Sequence, residues 1–377
     1  MTVSAPLPTL LVVPTGIGCD VGGYAGDALP AARLLAAASG CLITHPNVMN
    51  GAALYWRDPT IHYVEGAALD RFAVGDLALR PVRSQRVGVL LDAGLEEEML
   101  QRHLQVLEAC RATLGLNIGP VVRSDAPLGV RLEHGSSGAS WGRLDRPDSL
   151  LRAGERLREG GASAIAVVAR FPEDGDGEAL ALYRQGSGVD ALAGAEAVIS
   201  HLLTDQLGLP CAHAPALEPL PLHAALDPRA AAEELGHTFL PCVLVGLSRA
   251  PDLISLGAVA GLPRPRGCAV GVASQDLLLP ESIGSVVAPS GALGGEAVLA
   301  CAERGVPLIS VHNPCVLNVD AAALGFDVIA ATSYAEAAGF VLALREGITP
   351  QALQRPLPPL GVSGEDERPG GSTDQAR

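Results

Sequence analysis

Three histidines stand near prolines in similar local settings: Thr44-His45-Pro46-Asn47, Cys211-Ala212-His213-Ala214-Pro215 and Val311-His312-Asn313-Pro314. Histidine titrates near neutrality and ligates metals through a neutral ring nitrogen, so these side chains are candidates for acid–base work or for a shared divalent metal held by His45, His213 and His312. Other reactive or polar groups accompany them. Asp20 is a candidate acid or base. Ser290 and Thr15 are candidate nucleophiles or phosphate donors, and Asn47, Asn50, Asn313 and Asn318 are candidates to orient polar substrate groups. Glycines crowd the same stretches: Gly16, Gly22, Gly23 and Gly26 in the first, Gly291, Gly294 and Gly295 in the last. Glycine lets a ligand approach the backbone and tolerates positive φ.

The elements that would position these groups are legible. Leu10 to Val13 is an apolar strand buried on both faces, followed by the glycine-rich loop, a helix from about Ala28 with Asp27 as N-cap and Pro30 in its first turn, and a short second strand. From Ser285 to Asn318 the pattern returns: strand 286–288, Pro289-Ser290-Gly291, Gly294-Gly295, helix 296–303, strand 306–311. A weaker third copy has strand 164–169, a loop at Gly186-Ser187-Gly188 and helix 191–207. The predicted fold is α/β: mostly parallel sheets with helices on both faces, built from repeated strand–Gly loop–helix–strand units and arranged in two lobes. Ligands of such sheets sit beyond the carboxyl ends of the strands, and helix N-termini there favour phosphate or carboxylate. The competing reading is that the glycines only shape tight turns.

Composition excludes whole classes of chemistry. All 26 basic residues are arginine. Without lysine there is no Schiff base, hence no pyridoxal phosphate chemistry, no Walker A loop and no Ser–Lys dyad. The net charge of −15 disfavours nucleic-acid binding. Eight cysteines form no C-x-x-C pair, and no apolar run reaches the length of a membrane helix. With no signal-peptide pattern, the expected location is the cytoplasm, with reduced thiols. Aromatics are only 3%, so the core must be built from Ala, Val, Leu and Ile.

Domain boundaries are expected near 135, 225 and 355: an N-terminal α/β lobe (1–135), a middle unit (136–225), a C-terminal lobe (226–355) and a disordered tail (356–377). Residues 86–92 and 118–123 read as strands and 95–114 as a helix. Asp92 is either a site carboxylate or an ordinary helix-leading residue. Trp56 and Tyr63 are either pocket walls or core anchors. Residues 133–141 read as a linker or a mobile loop, and 171–178 as a solvated acidic loop. His201 and Asp205, at i and i+4, read as a pair within one helix, with Cys211 and His213 close enough to make a metal cluster of no standard spacing. The run Phe239 to Leu247 reads as a buried strand ending at Ser248-Arg249, which would make Arg249 an anion clamp at a strand's carboxyl end.

THPNVMN, SHLLTDQLGLPCAHAP and APSGALGGEAVLACAERGVPLISVHNPCVLNV together resemble an uncharacterised family, domain of unknown function 3326, over about residues 8–350. The resemblance implies a soluble bacterial, cyanobacterial-type protein and carries no activity. The three-unit pattern is also similar to that of the threefold ring-opening amidases acting on cyanuric acid, but those need Ser–Lys pairs that a chain without lysine cannot supply. Dinucleotide binding fits poorly, because TGIGCDVGG departs from G-x-G-x-x-G.

The expectation is therefore an enzyme acting on a small anionic metabolite as hydrolase, lyase or isomerase. A non-catalytic binding or regulatory protein using the same loops is the alternative. A divalent metal is the cofactor to test; neither nucleic acid nor membrane is expected as a partner, and homo-oligomerisation is open.

Overall fold

A computed structural model describes residues 5–14, 16, 18–50, 58–134, 140–173, 177–187, 190, 192–234, 240–257, 277–315 and 317–357. The expectations for Thr15, Trp56, a strand at 268–272 and the tail beyond 357 lie outside the described residues. The first segment comprises β1 (Thr9–Leu11), α1 (Leu29–Ser39), β2 (Leu42–Thr44), α2 (Pro46–Met49), β3 (Ile61–Tyr63), α3 (Gly66–Val74) and β4 (Leu77–Arg80). The middle comprises β5 (Val87–Leu91), α4 (Glu97–Leu114), β6 (Ile118–Arg123), β7 (Val130–His134), β8 (Ser140–Leu144), α5 (Pro147–Glu159), β9 (Ala164–Arg170), α6 (Gly177–Arg184), α7 (Ala193–Leu207) and β10 (Cys211–Ala216). The last comprises α8 (Pro228–Ala232), α9 (Leu240–Leu247), β11 (Asp252–Ser255), β12 (Ser285–Pro289), α10 (Glu296–Glu303), β13 (Leu308–Val311), α11 (Ala321–Leu324), β14 (Ile329–Ala331) and α12 (Tyr334–Arg345).

The fold is α/β with two parallel sheets. One has the order β14-β13-β12-β1-β2-β3, the other β10-β9-β5-β6, and two small antiparallel ribbons, β4–β11 and β7–β8, complete the set among the described residues. In the six-stranded sheet, adjacent strands β1 and β12 lead away in opposite directions, which makes the gap between them the topological switch point.

Strand alternation decides what each face buries. Leu10, Ile43, Val286 and Ala288 meet α3 and α10 through Leu69, Phe72, Ala297 and Val298. Leu11, Leu42, Val287 and Ile309 point the other way, into a core shared with α1 and α12, and that core continues into Val87, Val89 and Leu91 of the four-stranded sheet and into α9. The other face of that sheet packs Leu90, Ile165 and Val167 on Leu150, Leu157, Ile199 and Leu203 of α5 and α7. Small helix residues such as Ala32 and Ala36 of α1, both fully buried, allow the close helix-on-sheet approach that a chain poor in aromatics needs.

The structure adds three details. First, the six-stranded sheet takes strands from 9–63 and 285–331, and the four-stranded sheet from 87–216. Pairing of β1 with β12 joins the first and the last segments. Second, Leu240–Leu247 is a helix, α9, not a strand. An eight-residue apolar run has no readable period, and the burial of Leu240, Val243, Leu244 and Leu247 follows i, i+3, i+4, i+7. Arg249 therefore sits in the turn after a helix, away from any parallel strand's carboxyl end. Third, Asp27 does not cap α1. Ala28 holds the N-cap position, and the Asp27 carboxylate turns back to accept the Gly22 N–H.

Candidate functional site

At the switch point the first glycine-rich loop is bonded to the chain that follows β13. Asn313, 2% exposed, accepts the Val21 N–H at 2.9 Å and donates to the Val21 carbonyl at 2.7 Å and to the Tyr334 hydroxyl at 3.0 Å. Cys19 and Cys315 form an isolated antiparallel bridge, and the Asp20 N–H donates to the Pro314 carbonyl. In the second loop, Gly291 and Leu293 pair with Val319.

Four N–H groups that could help cradle an anion are occupied by the chain itself. Gly22 N–H donates to Asp27, Ala25 N–H to Glu233, and Gly26 N–H to the Asn47 carbonyl. At the N-terminus of α10, the Ala297 N–H donates to Asp70 Oδ1 at 3.0 Å. Burial pushes the Asp27 carboxyl up to about 6, against the Gly22 N–H. It pushes Glu233 up to about 8, against the Ala25 N–H, with help from Asp27 and Glu234. Gly22 and Gly26 have positive φ. A side chain at Gly22 would overlap Val13, so this loop needs its glycine for conformation as much as for access.

The open space lies beside the switch point, between the carboxyl ends of the two parallel sheets. It is a cleft of about 800 Å³, a volume usual for small-molecule sites. Val12, Val13, His45 and Glu65 line it from the ends of β1, β2 and β3, and Gly295 and Glu296 from the start of α10. Pro172 and Glu173 follow β9, and His213 to Leu217 come from β10 and the chain just after it.

On the second sheet's side, β10 and α7 build an acid–base cluster. His213 Nε2 lies 3.3 Å from Glu196 Oε2, and Nδ1 lies 3.3 Å from Ser200 Oγ. Glu196 and Ser200 are one turn apart on α7, and the Ser200 hydroxyl donates back to the Ala197 carbonyl at 3.2 Å. With that bond made, Ser200 can accept from Nδ1–H, and Nε2 faces the Glu196 carboxylate. Ser200, 3% exposed and committed to its own helix, is no nucleophile. Asp190, just before α7, also lines the cleft. Burial raises its pKa, and the Glu196 charge raises it further, while the Leu192 N–H and His213 oppose the rise.

On the first sheet's side, Glu65 is 3% exposed and caps α3 through the Ala68 N–H, and its other oxygen lies 2.9 Å from His201 Nε2 on α7. This pair joins a helix of one sheet to a helix of the other. It replaces the expected His201–Asp205 pairing, since Asp205 instead faces Arg71 at 3.5 Å. Gly66 permits the approach: a Cβ there would stand 3.0 Å from His201 Nε2. His45 caps α2, and its Nε2 accepts the Val13 N–H at 3.1 Å, which leaves the ring proton on Nδ1. Burial lowers its pKa to about 4, so it is neutral at physiological pH. Asn50 accepts from the buried Tyr63 hydroxyl at 3.1 Å, and Asn47 donates to the Gly22 carbonyl at 3.0 Å.

Of the residues singled out by sequence, His45, His213, Asn47, Asn50 and Gly295 line the cleft. Asp20, His312 and Asn318 are exposed and do not, nor do Ser290, Gly16, Gly22, Gly23, Gly26, Gly291, Gly294, Asn313 or Arg249. His45, His213 and His312 are not gathered, and among the described residues no group of three or more His, Cys, Asp or Glu is arranged to hold a metal. Asp92 is structural: it accepts the N–H groups of Gly94, Leu128 and Arg170. Sequence reasoning passed over Glu65, Asp70, Asp190 and Glu233. Glu65 carried a readable signal, an acidic residue followed by glycine just past a short strand, as His45 follows its own.

Comparison with known proteins places the chain. Residues 8–354 match the family described as "Protein of unknown function (DUF3326)", and the chain belongs to that family. A Synechococcus protein named an uncharacterized lipoprotein is 55% identical over 348 residues, which is 92% of this chain and 93% of the relative.

Proposed function

We propose that this member of a family without an assigned activity is an enzyme that transfers a proton on a small metabolite held in the cleft between the two parallel sheets. The observation that carries the reading is the His213–Glu196 pair, with Nε2 3.3 Å from Oε2 at the wall of a cavity large enough for a metabolite. An imidazole and a carboxylate with one proton between them can donate or accept at nearly the same position, as general acid–base catalysis requires. Asp190 and Glu196 supply charge beside the ring, and the His45 Nδ1–H is a neutral donor to a carbonyl or hydroxyl. Isomerisation, elimination and hydrolysis all use such a transfer. The phosphate or carboxylate expected at the glycine-rich loops finds the nearby N–H groups already taken.

Incubating the protein with pooled metabolites in D₂O tests this by NMR. Deuterium wash-in or net turnover is expected, reduced about 10²- to 10⁴-fold in His213→Asn with the melting temperature retained. Absence of exchange and turnover across the pools, or full activity in His213→Asn, would sink the reading.

We also place the protein in the cytoplasm. No helix among the described residues is long and apolar enough to cross a membrane. A bacterial lipoprotein is anchored through a cysteine that becomes the first residue after cleavage, and Cys19 is a cysteine on which this can be tested. Cleavage before Cys19 would remove β1, which is hydrogen-bonded on both sides, to β12 and to β2. Cys19 is also buried, and burial pushes its thiol up to about 12, keeping it protonated. Intact-mass measurement on protein from its host is expected to find residues 1–18 retained and no lipid on Cys19.

A further inference from the structure

The charge around the cleft is one-sided. Nine of its lining residues carry carboxyl groups and four are histidines, and none of the described lining residues is arginine. With no lysine in the chain, histidine is the only cationic side chain that the described lining residues offer a ligand. None of the three best-placed histidines is available for an anion. His45 is neutral, with Nε2 holding the Val13 N–H. His201 faces Glu65, and His213 faces Glu196.

Several backbone donors are committed as well. The N–H groups of Gly22, Ala25 and Gly26 in the glycine-rich loop, and of Ala297 at the start of α10, are held by Asp27, Glu233, the Asn47 carbonyl and Asp70. Along one wall, meanwhile, the carboxylates follow one another. Asp70 feels the charges of Glu296 and Glu65, Tyr63 those of Glu65 and Glu196, and Asp190 that of Glu196. Glu296, exposed at the start of α10, stands at one end of this series. Between such walls an anion meets repulsion, and a cation receives charge-assisted hydrogen bonds. The remaining lining includes Leu132, Leu192, Leu217 and Pro215, which suits an uncharged carbon body.

We infer that the cleft takes a cationic metabolite, a protonated amine, guanidine or amidine on a neutral or apolar body, with the cationic head on the carboxylate wall between Glu296 and Glu196. The inference rests on the proposed reading of this cleft as the working site, and it reverses the charge expected from the glycine-rich loops.

A matched set of probes tests it: benzamidine, benzamide and benzoate, which share a ring and differ in charge, together with agmatine and putrescine, by calorimetry and thermal shift. Benzamidine or the amines are expected to bind, more weakly as salt is raised, with benzamide weaker and benzoate undetectable. Glu296→Gln, at an exposed position that leaves the fold intact, and Glu196→Gln, which keeps the side chain's shape, are each expected to weaken cation binding about tenfold or more. Binding of benzoate in preference to benzamidine overturns the inference, as does failure of every cation at millimolar concentration, or cation binding unchanged in both variants. The two readings fail separately. Cation binding with no proton exchange would remove the catalytic proposal and leave this one. Exchange on an anionic metabolite, lost in His213→Asn, would do the reverse.

Discussion

The switch point and the neighbouring cleft are built from similar parts and do opposite things. At the switch point, glycine-rich loops leave adjacent strands β1 and β12, and the polar groups of the first are paired within it or with the chain after β13: Asn313 with Val21, Asp20 with Pro314, Asp27 with Gly22. In the cleft, polar groups are gathered in pairs around open space, and His213 Nε2 faces Glu196 at 3.3 Å. A glycine-rich loop at a switch point marks a ligand site only if its N–H groups are left without internal partners. Here several of the first loop's donors are engaged internally, and the open space lies beside it.

The widest separation between the two regions should come from the glycines. Gly22→Ala places a Cβ on Val13 at a residue with φ of +98°, and we expect a loss of about 3 kcal/mol or more in urea unfolding. Gly295→Ala, at a position with no neighbour within 4 Å of the added carbon, should change stability by about 0.5 kcal/mol at most. Equal effects would break the distinction. Asn313→Ala leaves both Val21 backbone groups without their partner, and should cost about 2 kcal/mol by the same measurement while leaving ligand binding in the cleft unchanged.

The clasp between the sheets sharpens the comparison through pH. Burial opposes the charge on His201, but the Glu65 hydrogen bond and the charges of Glu65 and Asp70 outweigh it, so its pKa is raised on folding. A raised histidine contributes fully below its unfolded value, about 6.5, and the contribution fades as pH climbs through the folded value. The melting-temperature gap between the native chain and His201→Gln should therefore be widest at mildly acidic pH and narrow with increasing pH. A gap that widens instead would contradict the pairing. The smallest effect is expected at Arg71–Asp205, the exposed pair joining the same two helices: Asp205→Ala should cost no more than about 0.5 kcal/mol.

Much of the architecture was readable because apolar strands buried on both faces and alanine-rich helices leave plain patterns. Strands at 87–91, 118–123 and 164–170 and the helix at 97–114 lie where the patterns put them. Leu240–Leu247 did not, since a run apolar on every side hides its period. Half of the site was visible for the same local reasons: His45 and His213 stand out beside their prolines. The other half depends on distant pairing. Glu65 meets His201 across 136 positions, Glu233 meets Ala25 across 208, and Asp70 meets Ala297 across 227. No local spacing encodes those contacts. The same distance hides the partners of two of the donors, since Glu233 and Asp70, which hold the Ala25 and Ala297 N–H groups, lie elsewhere in the chain.

The place of β1 also sets the order in which this chain can assemble. Thr9 pairs with Ser285 on one side and with Leu42 on the other. During synthesis, β1, β2 and β3 leave the ribosome with the β1 edge uncovered until β12 arrives, some 270 residues later. The four-stranded sheet spans only residues 87–216 and can form earlier from contiguous chain. Long-range parallel pairing is slow, and an open apolar edge invites association with other chains. The six-stranded sheet, together with the cleft wall it provides, is therefore the last part of the molecule to close and the part most exposed to chaperones on the way.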